Sequence, residues 1–240
     1  MTKIKCVIAA GGLGTRLQGF RQNDKTKILI EVNGTPMINR QIHQIAKWGI
    51  EEFIIITNPD FDEIIREVTS KEFPDLNINY SIQESPKGIS HAFSKAEKFV
   101  NKDDILILVL GDNFFGENPL LDVDFSKLEK NKGSIIFTKE VDNPNEFGVA
   151  EVDKNGKVLD IQEKPNNPKS NLAVVGIYIF DHLAMDNINL LKPSKRGEYE
   201  ITDLINIYIN QNKCSNIELS SWWIDAGTPE RILDLETRLL

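Results

Sequence analysis

Ile4-Lys5-Cys6-Val7-Ile8-Ala9-Ala10 runs directly into Gly11-Gly12-Leu13-Gly14-Thr15-Arg16-Leu17, and this stretch decides how the rest of the chain reads. A short apolar run closed by glycines reads as a buried first strand feeding a tight loop. Glycines at that point let backbone N–H groups approach a ligand closely, because no Cβ stands in the way. A nest of N–H groups beside a helix N-terminus suits phosphate. The spacing is not that of a Rossmann fingerprint, whose third glycine position here holds Leu17, which disfavours a dinucleotide dehydrogenase. It is not a Walker A loop either, since no Gly-Lys-Ser/Thr follows. An ordinary strand-to-helix turn is the lesser alternative on the glycines alone. Arg16 within the loop, with Lys25 and Lys27 shortly after, favours an anion, because a guanidinium grips two phosphate oxygens at once and a lysine adds a compact charge.

Those cations stand in an acidic chain: 28 Lys+Arg against 36 Asp+Glu give a net charge of -8 over 240 residues. Such a balance argues against nucleic acid and anionic membrane as partners. Two cysteines, Cys6 and Cys214, make no disulfide framework, and three histidines, His43, His91 and His182, make no zinc cluster. The longest apolar run, Ile105 to Leu110, falls far short of the roughly 20 residues a bilayer span needs. Cys6 to Ala10 is too short for a signal-peptide core. A soluble, cytoplasmic protein is expected.

Outward from the first strand, Phe53 to Thr57, Ile78 to Ile82 and Ile105 to Leu110 also read as strands. Two of these are continuously apolar, as expected for strands covered on both faces. Helices are expected from Pro36 to Trp48, from the Asn58-Pro59 start to about Ser70, and from Gly88 to Val100. Strand-helix alternation implies right-handed crossovers and a mostly parallel sheet. The second half changes rhythm: Ser134 to Val141, Phe147 to Val152, Val158 to Gln162 and Leu172 to Phe180 read as strands, with Asn155-Gly156 a hairpin signal. Helices follow at about Glu200 to Asn212 and Pro229 to Leu239. The expected fold is α/β: a doubly wound, Rossmann-like, mixed but mostly parallel sheet carrying a β-rich insertion. No linker divides the chain, so residues 1–240 are read as one domain, 1–115 serving one ligand and 116–240 another.

Further polar groups sit where strands end. In Tyr80-Ser81-Ile82-Gln83-Glu84-Ser85-Pro86-Lys87-Gly88, Gln83 carries a donor and an acceptor fit for the amide edge of a pyrimidine, though an ordinary loop reads the same way. Asp112, in Leu110-Gly111-Asp112-Asn113, follows the most buried strand, where α/β sheets bind ligands; a turn cap is the alternative. Asp225 ends another apolar stretch, Trp222-Trp223-Ile224-Asp225. Two hard oxygen ligands from distant segments, completed by substrate phosphates, are what Mg²⁺ usually takes. Glu163-Lys164 closes a strand and by itself reads as a solvated pair.

In this order, the features resemble the sugar nucleotidyltransferase family. Gly11 to Leu17 looks like its G-G-x-G-T-R-L. Lys27-Ile28-Leu29-Ile30-Glu31-Val32 resembles K-x-L-L-P-V, with Glu31 in place of proline and the preceding segment one residue longer. Lys27 keeps register with Leu29 and Val32, and Lys25 competes with it. Tyr80 to Gly88 is similar to Y-x-x-Q-x-x-P-x-G, and Phe147-Gly148-Val149 to Y-G-V. Glu163-Lys164-Pro165 and Ser170 to Tyr178 look like E-K-P and S-N-x-A-V-x-G-x-Y. Lys192 to Asp203 resembles K-P-S-x-R-G-E-x-E-I-T-D, and the last two runs point to the glucose-1-phosphate thymidylyltransferase branch, in a short form lacking the C-terminal helical segment of its long members.

The resemblance implies catalytic roles for Arg16, Lys27 and Lys164, and nucleotide binding by Gly11, Gly12, Gly14, Thr15, Gln83, Pro86, Gly88 and Asp112. It implies sugar-phosphate binding by Gly148, Glu163, Lys164, Val174, Tyr178 and Arg196, with Mg²⁺ on Asp112 and Asp225. The implied reaction condenses dTTP with glucose 1-phosphate to dTDP-glucose and pyrophosphate. UTP or another sugar 1-phosphate is the nearest rival, with Phe147, Glu31 and His91 as places where specificity could drift. A non-catalytic sugar-nucleotide sensor is the rival from another class, disfavoured by the retained carboxylates. Association into a homo-oligomer is expected, as for most soluble enzymes.

Overall fold

A computed structural model describes residues 3–12, 14–17, 19–20, 26–154 and 156–240; of Thr15 it describes only the backbone. In chain order the strands are β1 Ile4–Ala9, β2 Glu31–Val32, β3 Thr35–Pro36, β4 Glu52–Thr57, β5 Asn77–Ile82, β6 Ile105–Leu110, β7 Asn113–Phe115, β8 Ser134–Glu140, β9 Gly148–Val152, β10 Val158–Glu163, β11 Leu172–Asp181, β12 Cys214–Glu218 and β13 Trp223–Asp225. The helices are α1 Met37–Ala46, α2 Asp62–Glu72, α3 Ile89–Ser94, α4 Phe125–Asn131, α5 Ala184–Ile188, α6 Ile201–Asn210 and α7 Pro229–Arg238.

The continuous apolar strands behave as their composition requires. Successive residues point to opposite faces of a strand, so each run feeds two cores. Cys6 and Ile8 of β1, Phe53 and Ile55 of β4, and Ile107 and Val109 of β6 pack on one face with Ile38, Ile42 and Ile45 of α1 and Ile65 of α2. Val7, Ile54, Ile56, Leu106 and Leu108 pack on the other, against α3, α5 and α6. β1 pairs in parallel with β4 and β6, and β4 with β5. Beyond β6 the sheet turns antiparallel: β11 lies against β6 and β8, and touches β9, which pairs with β10. β12 runs parallel to β8 at the far edge. The doubly wound α/β expectation therefore holds, with the mixed half supplied by the second part of the chain.

Several boundaries differ from the sequence expectation for local reasons. Asn58 Oδ1 accepts from the N–H groups of Asp60 and Phe61, both at 3.1 Å, so a side-chain-capped turn occupies Pro59 to Phe61 and α2 starts only at Asp62. The third expected helix stops at Ser94, and a separate 3₁₀ turn spans Glu97–Phe99. Asn155 lies outside the described residues. On either side of it, Asp153 N–H donates to Lys157 O at 2.9 Å. β7 and β13, three residues each, and the largely polar β12 carry too little periodicity to be read from sequence. Among the described residues, no helix is long and apolar enough to cross a membrane.

Candidate active site

The order β6-β1-β4-β5 means the chain leaves β1 in one direction and returns through β6 on the other side. In an open α/β sheet such a switch point opens a crevice at the carboxyl ends of the strands. Gly11 follows β1 there and Asp112 follows β6, with Gly111 N–H donating to Ala9 O at 3.0 Å. Loop and helix are tied down locally. Leu17 is buried with Phe114, Ile224, Ala226 and Ile232, which leaves its neighbour Arg16 exposed at the rim. Gly14 has φ +62°, and a Cβ there would lie 2.7 Å from Lys27 Cβ. Only glycine fits, and its purpose is to seat the loop on Lys27.

Lys27 forms an ion pair with Asp112 Oδ2. Lys25, the competing lysine, lies outside the described residues. Burial works to raise the pKa of Asp112, but the adjacent Lys27 and the Asn113 amide outweigh it and hold the carboxyl below its ordinary value. The second aspartate arrives through the β7–β13 ladder, which sets Asp225 opposite Asn113, while Ala226 N–H donates to Asp112 O at 2.8 Å. Burial first, and then the charge of Asp112, push Asp225 up to about 6. Its Oδ2 meets Arg231 Nη1 at 3.3 Å. Its Oδ1 is buried without a hydrogen-bond partner among the described residues.

On one flank, Gln83 is buried at the end of β5, with Pro86 and Gly88 beside it in the same wall. On the other, a Cβ at Gly148 would meet Thr202 Cγ2 at 3.2 Å, Glu163 Oε2 at 3.5 Å and Val174 Cβ at 3.9 Å, so the missing side chain keeps this corner open. Glu163 is raised above its ordinary pKa by burial and by the neighbouring Glu200. Lys164 holds a left-handed φ of +43°, fixed by its N–H donating to Phe147 O at 3.0 Å. A non-glycine residue in that region stores about 1–2 kcal/mol of strain, and here the strained residue is a lysine at the rim of the cleft. Burial raises the Tyr178 phenol, and the charges of Glu163, Asp112 and Asp225 around it act in the same direction.

One cleft of about 650 Å³ is lined by Gly11, Gly12, Arg16, Lys27, Gln83, Pro86, Gly88, Asp112, Gly148, Glu163, Lys164, Val174, Tyr178 and Asp225 together. Of the sequence candidates, Gly14 and Arg196 do not line it, and the Thr15 side chain lies outside what the structure describes. The Arg196 guanidinium is turned to carboxylates, at 2.9 Å from Glu200, 3.3 Å from Glu198 and 3.7 Å from Glu163. Among the described residues, four cations (Arg16, Lys27, Lys164, Arg231) face five carboxylates (Asp112, Glu146, Glu163, Glu198, Asp225) in the lining; Lys25, part of the positive excess expected at the loop, lies outside the described residues. The described lining is thus net -1, which favours a further cation beside a bound polyanion. Two adjacent carboxylates, Asp112 buried and Asp225 half-buried with an unpartnered oxygen, are the donors a hard divalent ion takes. Among the described residues no third acidic or histidine ligand joins them, which leaves the remaining positions to water and substrate phosphate, as Mg²⁺ prefers.

A profile of the Nucleotidyl transferase family matches residues 5–240. The chain belongs to this family. It is 35% identical to the glucose-1-phosphate thymidylyltransferase of Neisseria meningitidis, covering 95% of this chain and 80% of the relative. It is 37% identical to the enzyme of that name from Xanthomonas campestris, covering 97% and 79%. A crystal structure of a candidate glucose-1-phosphate thymidylyltransferase from Bacillus anthracis, in complex with sucrose, superposes with a TM-score of 0.87 at 33% identity, covering 98% of this chain and 94% of that one. A UDP-glucose pyrophosphorylase complexed with UDP-glucose shares the fold, with a TM-score of 0.81 at 23% identity.

Within this nucleotidyl transferase, sequence reasoning missed three residues that shape the site. Asn113 Oδ1 accepts from Gly176 N–H at 3.0 Å and from Trp223 Nε1 at 2.6 Å, while its Nδ2 donates to Asp112 Oδ1 at 3.0 Å. Trp223 stands edge-on to Phe147, with ring centroids 5.2 Å apart. Arg231 bridges Asp225 to Glu146, the latter at 2.8 Å. Its position was readable in one respect: Thr228 caps α7 by accepting from Arg231 N–H and Pro229 opens it, so Arg231 falls in the first turn and close to Asp225.

Proposed function

We propose that this nucleotidyl transferase condenses dTTP with glucose 1-phosphate, releasing pyrophosphate, and that residues 1–115 serve mainly the nucleotide while 116–240 serve mainly the sugar phosphate. The names of the relatives support the substrates. The observation that carries the chemistry is the convergence of Arg16, Lys27 and Lys164 on a cleft whose floor holds Asp112 and Asp225.

A sugar-phosphate oxygen attacks the α-phosphorus in line, and the bond to the β-phosphate oxygen breaks. The attacking phosphate is already anionic, so no protein nucleophile is needed, and catalysis reduces to positioning and neutralising charge. At about 4 Å, two unit charges interact by roughly 4 kcal/mol at an effective dielectric near 20, so each repulsion offset matters. Arg16 at the glycine loop serves the triphosphate and Lys164 the sugar phosphate. Glu163, Val174 and the open backbone at Gly148 hold the sugar, and Gln83, Pro86 and Gly88 the base. Mg²⁺ held by Asp112 and Asp225 would supply the missing positive charge at the α-phosphate and the leaving group. Pyrophosphate release across dTTP, UTP, CTP and GTP against several sugar 1-phosphates tests the reading. Turnover fastest with dTTP and glucose 1-phosphate, reduced by orders of magnitude in Asp112→Asn, is expected. Near-normal turnover of that variant in Mg²⁺ would refute the metal assignment.

A further inference from the structure

The base end of the cleft contains a hydrogen-bond arrangement that the reaction itself does not require. Gln83, 6% exposed, donates from Nε2 both to Gly88 O at 3.1 Å and to His91 Nδ1 at 3.0 Å. A primary amide has two N–H donors, so both are spent. The remaining atom, Oε1, has no partner among the described residues. It lies against the glycine loop, where a Cβ on Gly11 would meet it at 3.2 Å. Turning the amide over would aim Oε1 at two acceptors, the Gly88 carbonyl and the His91 lone pair.

We propose that His91 is a positioning residue that locks the Gln83 side chain so that this amide offers the base an acceptor and no donor. This rests on the reading of the cleft as a nucleotide site. A keto pyrimidine, thymine or uracil, presents N–H at ring position 3 and pairs with such an acceptor. Cytosine presents a lone pair at that position and opposes it. Sites built around fixed polar groups discriminate through the partner they leave unpaired.

The histidine is itself held in place. Its ring stacks on Tyr199 at 6.2 Å and 27°. The Tyr199 backbone is pinned on both sides, its N–H donating to Lys87 O at 2.8 Å and its carbonyl accepting from Ser90 N–H at 3.1 Å. Gly88 packs so closely on Tyr199 that a Cβ would lie 2.6 Å from its carbonyl. The charged groups facing the ring are Lys95 on its own helix, and Lys87 and Glu84 on the preceding loop, with Glu84 paired to Lys95 at 2.8 Å. Burial and the two lysines lower its pKa, so at neutral pH the ring is uncharged and Nδ1 is free to accept. Below that pKa both ring nitrogens carry protons and the lock is lost.

Calorimetric binding of dTTP and CTP to the wild-type protein, to His91→Ala and to His91→Gln tests this without depending on turnover. The two nucleotides carry the same triphosphate, so its ionisation cancels in their ratio. A hydrogen bond's worth of discrimination corresponds to about a three- to tenfold preference for dTTP over CTP. That preference should shrink towards unity in His91→Ala and be restored in His91→Gln, whose amide oxygen accepts in the same place. In the wild type it should shrink as pH falls through the His91 pKa, which burial and the two lysines hold below the ordinary histidine value, and in His91→Ala it should not change over the same range. An unchanged ratio in His91→Ala, or a wild-type ratio that stays constant while the NMR signals of the His91 ring report its protonation, overturns the lock; the wild-type arm decides even if the variant does not fold. Failure of the wild type to bind either nucleotide instead refutes the nucleotide site, and the lock with it.

Discussion

Asn113→Ala removes a single buried amide on which three groups of the site depend. The side chain is 2% exposed. Its oxygen accepts from Gly176 N–H at 3.0 Å and from the Trp223 indole at 2.6 Å, and its nitrogen donates to Asp112 Oδ1 at 3.0 Å. No side chain from β11 can refill the gap, because Gly176 faces it: a Cβ there would lie 2.4 Å from the amide. Truncation therefore strands two donors, at about 1–3 kcal/mol each where water cannot reach them. Trp223 is only half-buried, so the expected loss is about 2–4 kcal/mol, a large part of the roughly 5–15 kcal/mol of a typical domain.

Urea unfolding of Asn113→Ala, Trp223→Phe and the double variant separates the contributions. Removing the indole N–H removes one of the two stranded donors. The double variant should therefore lose less than the sum of the singles, with a coupling of about 0.5–2 kcal/mol. Asp112 also loses the donor that orients it, so pyrophosphate release should fall about 10- to 100-fold in Asn113→Ala, the usual effect of losing the support of a ligating carboxylate. Strict additivity, or a stability loss below about 0.5 kcal/mol, would show that the amide is not the hub described.

Gly88→Ala combines a φ of +98° with a Cβ 2.6 Å from Tyr199 O, whereas Gly197→Ala, at φ +78°, faces open space; urea midpoints should show a loss above about 2 kcal/mol for the first and about 1 kcal/mol for the second. Burial and Glu200 raise the Glu163 pKa above 4.5, so its ionisation opposes folding, and the penalty grows as pH rises from the unfolded value through the folded one. Glu163→Gln should then be more stable than the parent at neutral pH by thermal unfolding, yet bind the sugar phosphate more weakly, and the parent's sugar-phosphate KM should rise as pH falls towards that pKa. Arg231→Ala breaks two ion pairs of a residue that is 31% exposed; its stability should fall by less than about 1 kcal/mol, since exposed pairs are screened, while turnover falls about tenfold because Asp225 loses the contact on Oδ2. Equal turnover in Arg231→Ala and parent would refute that role.

The sequence spoke most clearly where side-chain chemistry coincides with local pattern. Glycines closing a buried strand, and an aspartate closing the most buried one, are local features, and they sit where the switch point of the sheet puts a ligand. Register favours Lys27 with Lys25 still competing; Lys27 meets Asp112 in the structure, and Lys25 lies outside the described residues. Asn113, Trp223 and Arg231 escaped because their roles depend on the β7–β13 ladder, in which a three-residue strand pairs with another more than 100 positions away. No periodicity marks such a pair. The strained φ of Lys164 is equally invisible, since it follows from how β10 ends against Phe147.

Charge along the chain and charge around the described cleft differ, and the difference bears on the mechanism. Counting along the chain joins Arg16 to Lys25 and Lys27 and finds a basic patch. Among the described residues, folding joins Arg16 and Lys27 to Glu146, Glu163 and Glu198, which lie far away in sequence, and pairs Arg196 with Glu163, Glu198 and Glu200. Lys27 and Arg231 are already paired with Asp112 and Asp225. Within the described residues only Arg16 and Lys164 of the four lining cations have no ion pair, and they stand at the loop and at the end of β10, where the proposed reaction would need a cation for each phosphorylated reactant. A cleft arranged in this way binds two polyanions weakly on its own. Affinity for triphosphate should therefore rise steeply with divalent cation, and to a much smaller degree with lowered ionic strength, because the deficit lies at the buried aspartates and not in the screened surface field.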